Sequence, residues 1–128
     1  MRDTPIHIAA RYDQYYFVKA LHERKIDVST PGAFGFTALH YAARETHTEL
    51  VRDLAVMGAN LNAQSLSGDT ALHLAAYNDD LETVTELLRL GASASVRNAS
   101  DSTPGVVARN IGDDSAVYKY FKESNRPH

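Results

Sequence analysis

Three histidines stand 33 residues apart, His7, His40 and His73. Imidazole is the side chain best suited to holding a metal or moving a proton near neutral pH. A shared zinc ion would need each ring nitrogen at about 2 Å. Equivalent positions on successive packed helices lie roughly 8–10 Å apart, so the rings cannot easily converge on one ion. A hydrogen bond from each ring to nearby backbone is the simpler reading, and His22 and His47 read as solvated. The pairs Asp79-Asp80 and Asp113-Asp114 suggest paired-carboxylate chemistry. Adjacent residues do not meet at a common point on a helix, however. Both pairs precede an expected helix, where negative charge suits the positive end of the dipole. His22-Glu23-Arg24-Lys25-Ile26 starts like a zinc-protease motif and lacks its second histidine, and Asn98-Ala99-Ser100 reads as a chance glycosylation sequon. The sequence holds no phosphate loop, dinucleotide fingerprint or nucleophile elbow. Cysteine is absent, which excludes disulfides and thiolate metal sites. These residues point to no enzyme, no cofactor and no metal.

The histidines belong to a longer recurring string. Thr4-Pro5-Ile6-His7-Ile8-Ala9-Ala10 returns as Thr37-Ala38-Leu39-His40-Tyr41-Ala42-Ala43 and as Thr70-Ala71-Leu72-His73-Leu74-Ala75-Ala76. A worn copy, Thr103-Pro104-Gly105-Val106-Val107-Ala108-Arg109, follows at the same interval. A fixed period marks a repeat architecture, here with units 1–33, 34–66, 67–99 and 100–128. In each unit a threonine can cap a first helix, and Pro5 and Pro104 tolerate the first helical position. The paired alanines let neighbouring helices approach closely. Thr46-His47-Thr48-Glu49 reads as a capping box for a second helix, with Asp79 and Glu82 at the matching places in the next unit. Second helices carry Phe17, Val18 and Leu21, then Leu50, Val51 and Leu54, then Val84, Leu87 and Leu88 at helical spacing. Gly58 and Gly91 suit left-handed C-terminal positions. Lys25 replaces that glycine in the first unit, so Pro31-Gly32 is expected to supply its exit turn, and the unit to be the most irregular full copy. Helices this short are unstable alone, so stacking must supply the burial.

This pattern resembles the ankyrin repeat over the whole chain. The resemblance implies an all-α solenoid of helix-turn-helix units joined by β-hairpin-like loops, forming one domain over 1–128 with a degenerate last repeat as cap. It also favours the structural reading of Thr4, Thr37, Thr70 and the three histidines. Family members usually have glycine where this chain has Asp13, Thr46 and Asp79, residues for which a left-handed turn is less comfortable. The spacing of Leu54 and Asn62 is similar to that around hydroxylated ankyrin asparagines, although Asn60 stands where an acid is usual.

In the family, ligand contacts come mostly from loop tips and first-helix ends on a concave face. Carried over, these positions are Met1, Asp3, Arg11 and Tyr12, then Phe34, Phe36, Arg44 and Glu45. Leu66, Ser67, Asp69, Tyr77 and Asn78 follow, then Ser100, Ser102, Asn110 and Ile111. Phe34 and Phe36 are two apart, so an extended strand would point both the same way. Aromatic and arginine side chains are the types enriched at binding hot spots. The function this implies is non-catalytic binding of another protein by a chain that is a monomer on its own. The alternative is an ankyrin targeting or regulatory segment of a larger enzyme, channel or signalling protein. The start at repeat position one points to a chain cut from something longer.

Bulk composition agrees. Hydrophobic residues at 44% and charged ones at 23% suit a folded domain. A net charge of −3 gives no reason to expect nucleic-acid binding. No apolar run reaches the length of a membrane span, so the cytoplasm is the expected compartment, with the nucleus as the alternative.

Overall fold

The computed structural model describes residues 2–124 of the 128-residue chain. The described residues form four helix-turn-helix pairs: α1 (Pro5–Arg11) with α2 (Tyr15–Glu23), α3 (Ala38–Arg44) with α4 (Thr48–Val56), α5 (Ala71–Tyr77) with α6 (Leu81–Leu90), and α7 (Pro104–Ile111) with α8 (Ala116–Ser124). A single 3-10 turn, Ala33–Gly35, lies between the first two pairs. First helices begin at Pro5, Ala38, Ala71 and Pro104, so the sequence period is also the structural one.

Two layers result. The first helices pack α1 on α3 on α5 on α7, and the second helices pack α4 on α6 on α8. Close approach in the first layer depends on small side chains: Ala10, Ala42, Ala43, Ala75 and Ala76 are completely buried. Val18, Val51, Val84 and Val117, one per second helix, are buried to the same degree between the layers. No strand occurs among the described residues. Each connecting loop is instead a tight turn whose ends are joined by a backbone bond, from Gly32 N to Phe36 O, Ser65 N to Asp69 O and Asn98 N to Ser102 O. Neighbouring tips are tied by Leu66 N donating to Phe34 O and Ala99 N donating to Ser67 O, both at 2.9 Å.

Helix starts follow the threonines. Thr37 and Thr70 accept on Oγ1 from the backbone N of His40 and His73 at 3.4 and 3.3 Å, and Thr103 accepts from Val106 N at 3.3 Å. Thr4 makes no such bond to backbone and is joined through the His7 ring.

The turns correct three expectations. Thr46 does not open a capping box: it is left-handed at φ 62°, and the residue before α4 is His47, which makes no side-chain cap. Asp79 is left-handed as well, at φ 52°, and Asp80 caps α6 by accepting from Thr83 N. The Asp79 carboxylate reaches forward, accepting from Ser115 Oγ at 2.6 Å and Val117 N at 3.1 Å at the start of α8. Lys25 takes the left-handed conformation itself at φ 69°, beside 92° for Gly58 and 110° for Gly91, so Pro31-Gly32 does not replace it. Gly32 matters for space: a Cβ there would stand 2.5 Å from Asp3 Oδ1 and 2.8 Å from His7 Cε1. The helices of the first pair match those of the second in length and offset, so the irregularity of the first unit lies in its cap and exit turn, where Thr4 makes no backbone cap and Lys25 stands in for glycine. The periodic hydrogen bonds fix the turn, and the side chain bears the strain.

Candidate functional site

The three histidines are fully committed inside the stack. The backbone N–H of Thr4, Thr37 and Thr70 donates to Nδ1 of His7, His40 and His73 at 2.9, 3.0 and 3.0 Å. With Nδ1 accepting, the ring proton sits on Nε2. That proton is donated to Thr30 O from His7 at 2.7 Å, to Asp69 O from His40 and to Ser102 O from His73, both at 2.8 Å. Each ring therefore clamps the start of its helix to a loop. His7 grips its loop six residues earlier in the period than His40 and His73 do. Burial pushes the His40 pKa below the usual imidazole value, so the ring stays neutral as the donor geometry requires. Val106 replaces the histidine in the fourth pair. Among the described residues no group of three His, Asp or Glu side chains is arranged to hold a metal ion.

The exposed rim begins with the loop tips. Phe34 and Phe36 do not lie on an extended strand: Phe34 sits in the 3-10 turn at φ 58°. Phe34 is 76% exposed, and the neighbouring Leu66 is 74% exposed. Phe36 turns inward. It stacks on the His40 ring with centroids 5.2 Å apart and meets Tyr41 edge-on at 5.3 Å. The Arg44 guanidinium lies 5.4 Å from the Phe36 ring centre and 5.1 Å from that of Tyr41, and pairs with Glu45 at 3.1 Å. Such cation–π contacts hold the arginine flat on the surface. The Tyr41 hydroxyl donates to Asp3 Oδ2 at 2.6 Å, and Asp3 Oδ1 accepts from Ala33 N at 2.9 Å. Burial, with that bond to the carboxylate, pushes the Tyr41 phenol up to about 12.

Other carried-over residues divide in the same way. Arg11 and Tyr12 are exposed and stack on each other at 5.5 Å. Asn78 donates from Nδ2 to Arg44 O at 2.7 Å, tying one first-helix end to the previous one. Asp69 accepts from Asn98 Nδ2 at 2.9 Å, and the half-exposed Tyr77 hydroxyl also accepts from it at 3.3 Å. Asn98 is itself buried, its Oδ1 accepting from Ser100 N and Ser102 N, so the sequon asparagine is a turn-forming residue. Asn110 and Ile111 are exposed on the last first helix. Met1 lies outside the described residues. Sequence reasoning missed Tyr41, whose only signal was an aromatic where the next unit has Leu74.

A family model described as Ankyrin repeats (3 copies) matches residues 6–98. This chain belongs to the ankyrin-repeat family. The match covers three copies, so the expectation of four needs qualifying: the fourth ankyrin-like unit stands on the packing of α7 and α8 against α5 and α6. No curated protein matches the chain. Ankyrin repeats are generally protein–protein interaction modules and generally non-catalytic. No helix among the described residues is long and apolar enough to cross a membrane.

Proposed function

We propose that this ankyrin-repeat chain is a non-catalytic cytoplasmic module that binds another protein through the rim formed by its loop tips and first-helix ends, the concave face of the family. One observation carries the reading. Phe34 is an aromatic residue held left-handed and largely exposed, beside the equally exposed Leu66. Bulky residues rarely adopt that backbone conformation, and nothing in the core gains from the ring. Arg11, Tyr12, Arg44, Glu45, Asp69, Tyr77, Asn78 and Asn110 complete the proposed rim as its polar and aromatic members. Phe36 supports the margin from below. The whole of residues 1–128 acts as one domain, with the fourth pair as its terminal cap.

The test is affinity capture with the wild-type chain beside a Phe34→Ala variant, followed by titration of the retained protein. Loss of about 2 kcal/mol of binding with an unchanged thermal midpoint is expected. Phe36→Ala should instead lower the midpoint. Undiminished binding by Phe34→Ala would refute the proposed rim.

A further inference from the structure

Charge is spread unevenly over the stack. Twelve of the 16 acidic side chains, and seven of the 13 basic ones, lie on the second helices and the turns beside them. First helices and the loops leading into them carry four acidic and five basic side chains among the described residues. The rim side is therefore the side without an acidic excess, on a chain of net charge −3. There Arg11 and Arg44 stand one period apart at the ends of α1 and α3. The helix dipole alone does not explain them, because α5 has the same dipole and ends without a basic residue. Burial and the bond to Asp3 raise the Tyr41 phenol while the positive charges of Arg44 and Arg11 pull against them, so both cations lie near one ring. Acids close by are already engaged. Asp3 spends one oxygen on Ala33 N and the other on the Tyr41 hydroxyl, and Glu45 accepts from Nε and Nη2 of Arg44. Arg11 is exposed and pairs with no carboxylate among the described residues.

Resting on the rim reading above, we propose that the segment this rim takes is acidic: an extended stretch of a partner protein whose carboxylate side chains meet Arg11 and Arg44 while an apolar side chain covers Phe34 and Leu66. Guanidinium and carboxylate form charge-assisted, paired hydrogen bonds, the strongest polar contact an exposed arginine can make. Tyr12 lies under Arg11, and Phe36 and Tyr41 under Arg44, so both cations are held before the partner arrives and lose little freedom on binding. Acidic charge on the second-helix side repels such a segment from the wrong face, whereas a basic segment would be drawn there and away from the rim. Tyr77 and Asn110 occupy the corresponding positions in the third and fourth units. The carboxylates therefore belong over the first two units, which fixes the direction in which the stretch lies.

Random peptides displayed on phage and selected on the wild-type chain test this, with labelled synthetic copies titrated at low and high salt. Selected peptides should carry aspartate or glutamate near an aliphatic or aromatic residue, and their affinity should fall as salt rises. Exchanging the acid for its amide should weaken binding by about tenfold, and so should Arg11→Gln. Against the amide peptide Arg11→Gln should cost nothing further, because the pair is then already gone. Arg11 is exposed, so this variant keeps the wild-type thermal midpoint. Arg11→Glu should turn the preference toward peptides with lysine at the acidic position. Phe34→Ala should weaken every selected peptide without altering its salt dependence. Peptides that are lost with Phe34→Ala but lack acids, or ignore Arg11→Gln, overturn the acidic segment and leave the rim standing. Peptides that survive both variants overturn the rim itself and this proposal with it. Phosphoserine peptides that bind where their aspartate counterparts do not, or a selection that yields no binder, also overturn it.

Discussion

Histidine, the residue that most suggests chemistry here, is spent on architecture. His40 joins Thr37 N to Asp69 O through its two ring nitrogens, and both partners lie inside the stack. His40→Ala would leave the buried Thr37 N unpaired, while Asp69 O keeps its bond from Ser65 N, and should cost about 3 kcal/mol in a urea titration with the cavity included. The lowered His40 pKa fixes the sign of a pH effect. Below about pH 6.5 the unfolded chain takes up the proton before the folded one does, so stability falls as pH falls and levels off once the folded ring is also protonated. A denaturation midpoint lower at about pH 5.5 than at about pH 7.5, with the difference reduced in His40→Gln, is the expected outcome. The aromatic pair shows what residue type alone does not decide. Phe34 and Phe36 looked equivalent by spacing, and the 3-10 turn sends one outward and the other onto His40.

Helix exits carry the strain at the scale of the element. Asp13, Thr46 and Asp79 all stand left-handed where glycine would be at ease. Asp79 has a compensating use, since its carboxylate holds the start of α8, and those bonds pull its pKa below the ordinary value. Thr46 is β-branched and exposed. Thr46→Gly should therefore raise stability by about 1 kcal/mol, seen as a higher urea midpoint at constant slope. Asp79→Gly should lose its cap and gain nothing. The hydrogen bond from His47 N to Ala42 O recurs as Asp80 N to Ala75 O, so the turn's shape is set by the repeat and not by its resident side chain.

At the scale of the molecule, each pair leans only on its neighbours, so stability is unevenly shared. Leu54 is completely buried in the second unit, with a pair on either side. Leu54→Ala should cost about 3 kcal/mol and move the whole unfolding transition. Val117 is equally buried but belongs to the end pair. Val117→Ala should speed hydrogen exchange mainly in α7 and α8, leaving the exchange of α3 and α5 near its wild-type rate. Uniform acceleration in both variants would mean one indivisible core.

Period, first-helix starts and the small residues between helices were legible in the sequence, because each depends on contacts within one unit or its exact repetition. Thr37, Ala42 and His40 mean the same thing at Thr70, Ala75 and His73. Exposure was not legible, because it depends on what lies across a gap of tens of residues. Only the tertiary structure decided that Phe36 packs while Phe34 protrudes, that Asn98 is a buried turn former, and that Ile8 and Phe17 face outward where Tyr41 and Thr83 are covered. A repeat specifies how units meet. Which rim side chains pack and which protrude is set by the turn each one occupies.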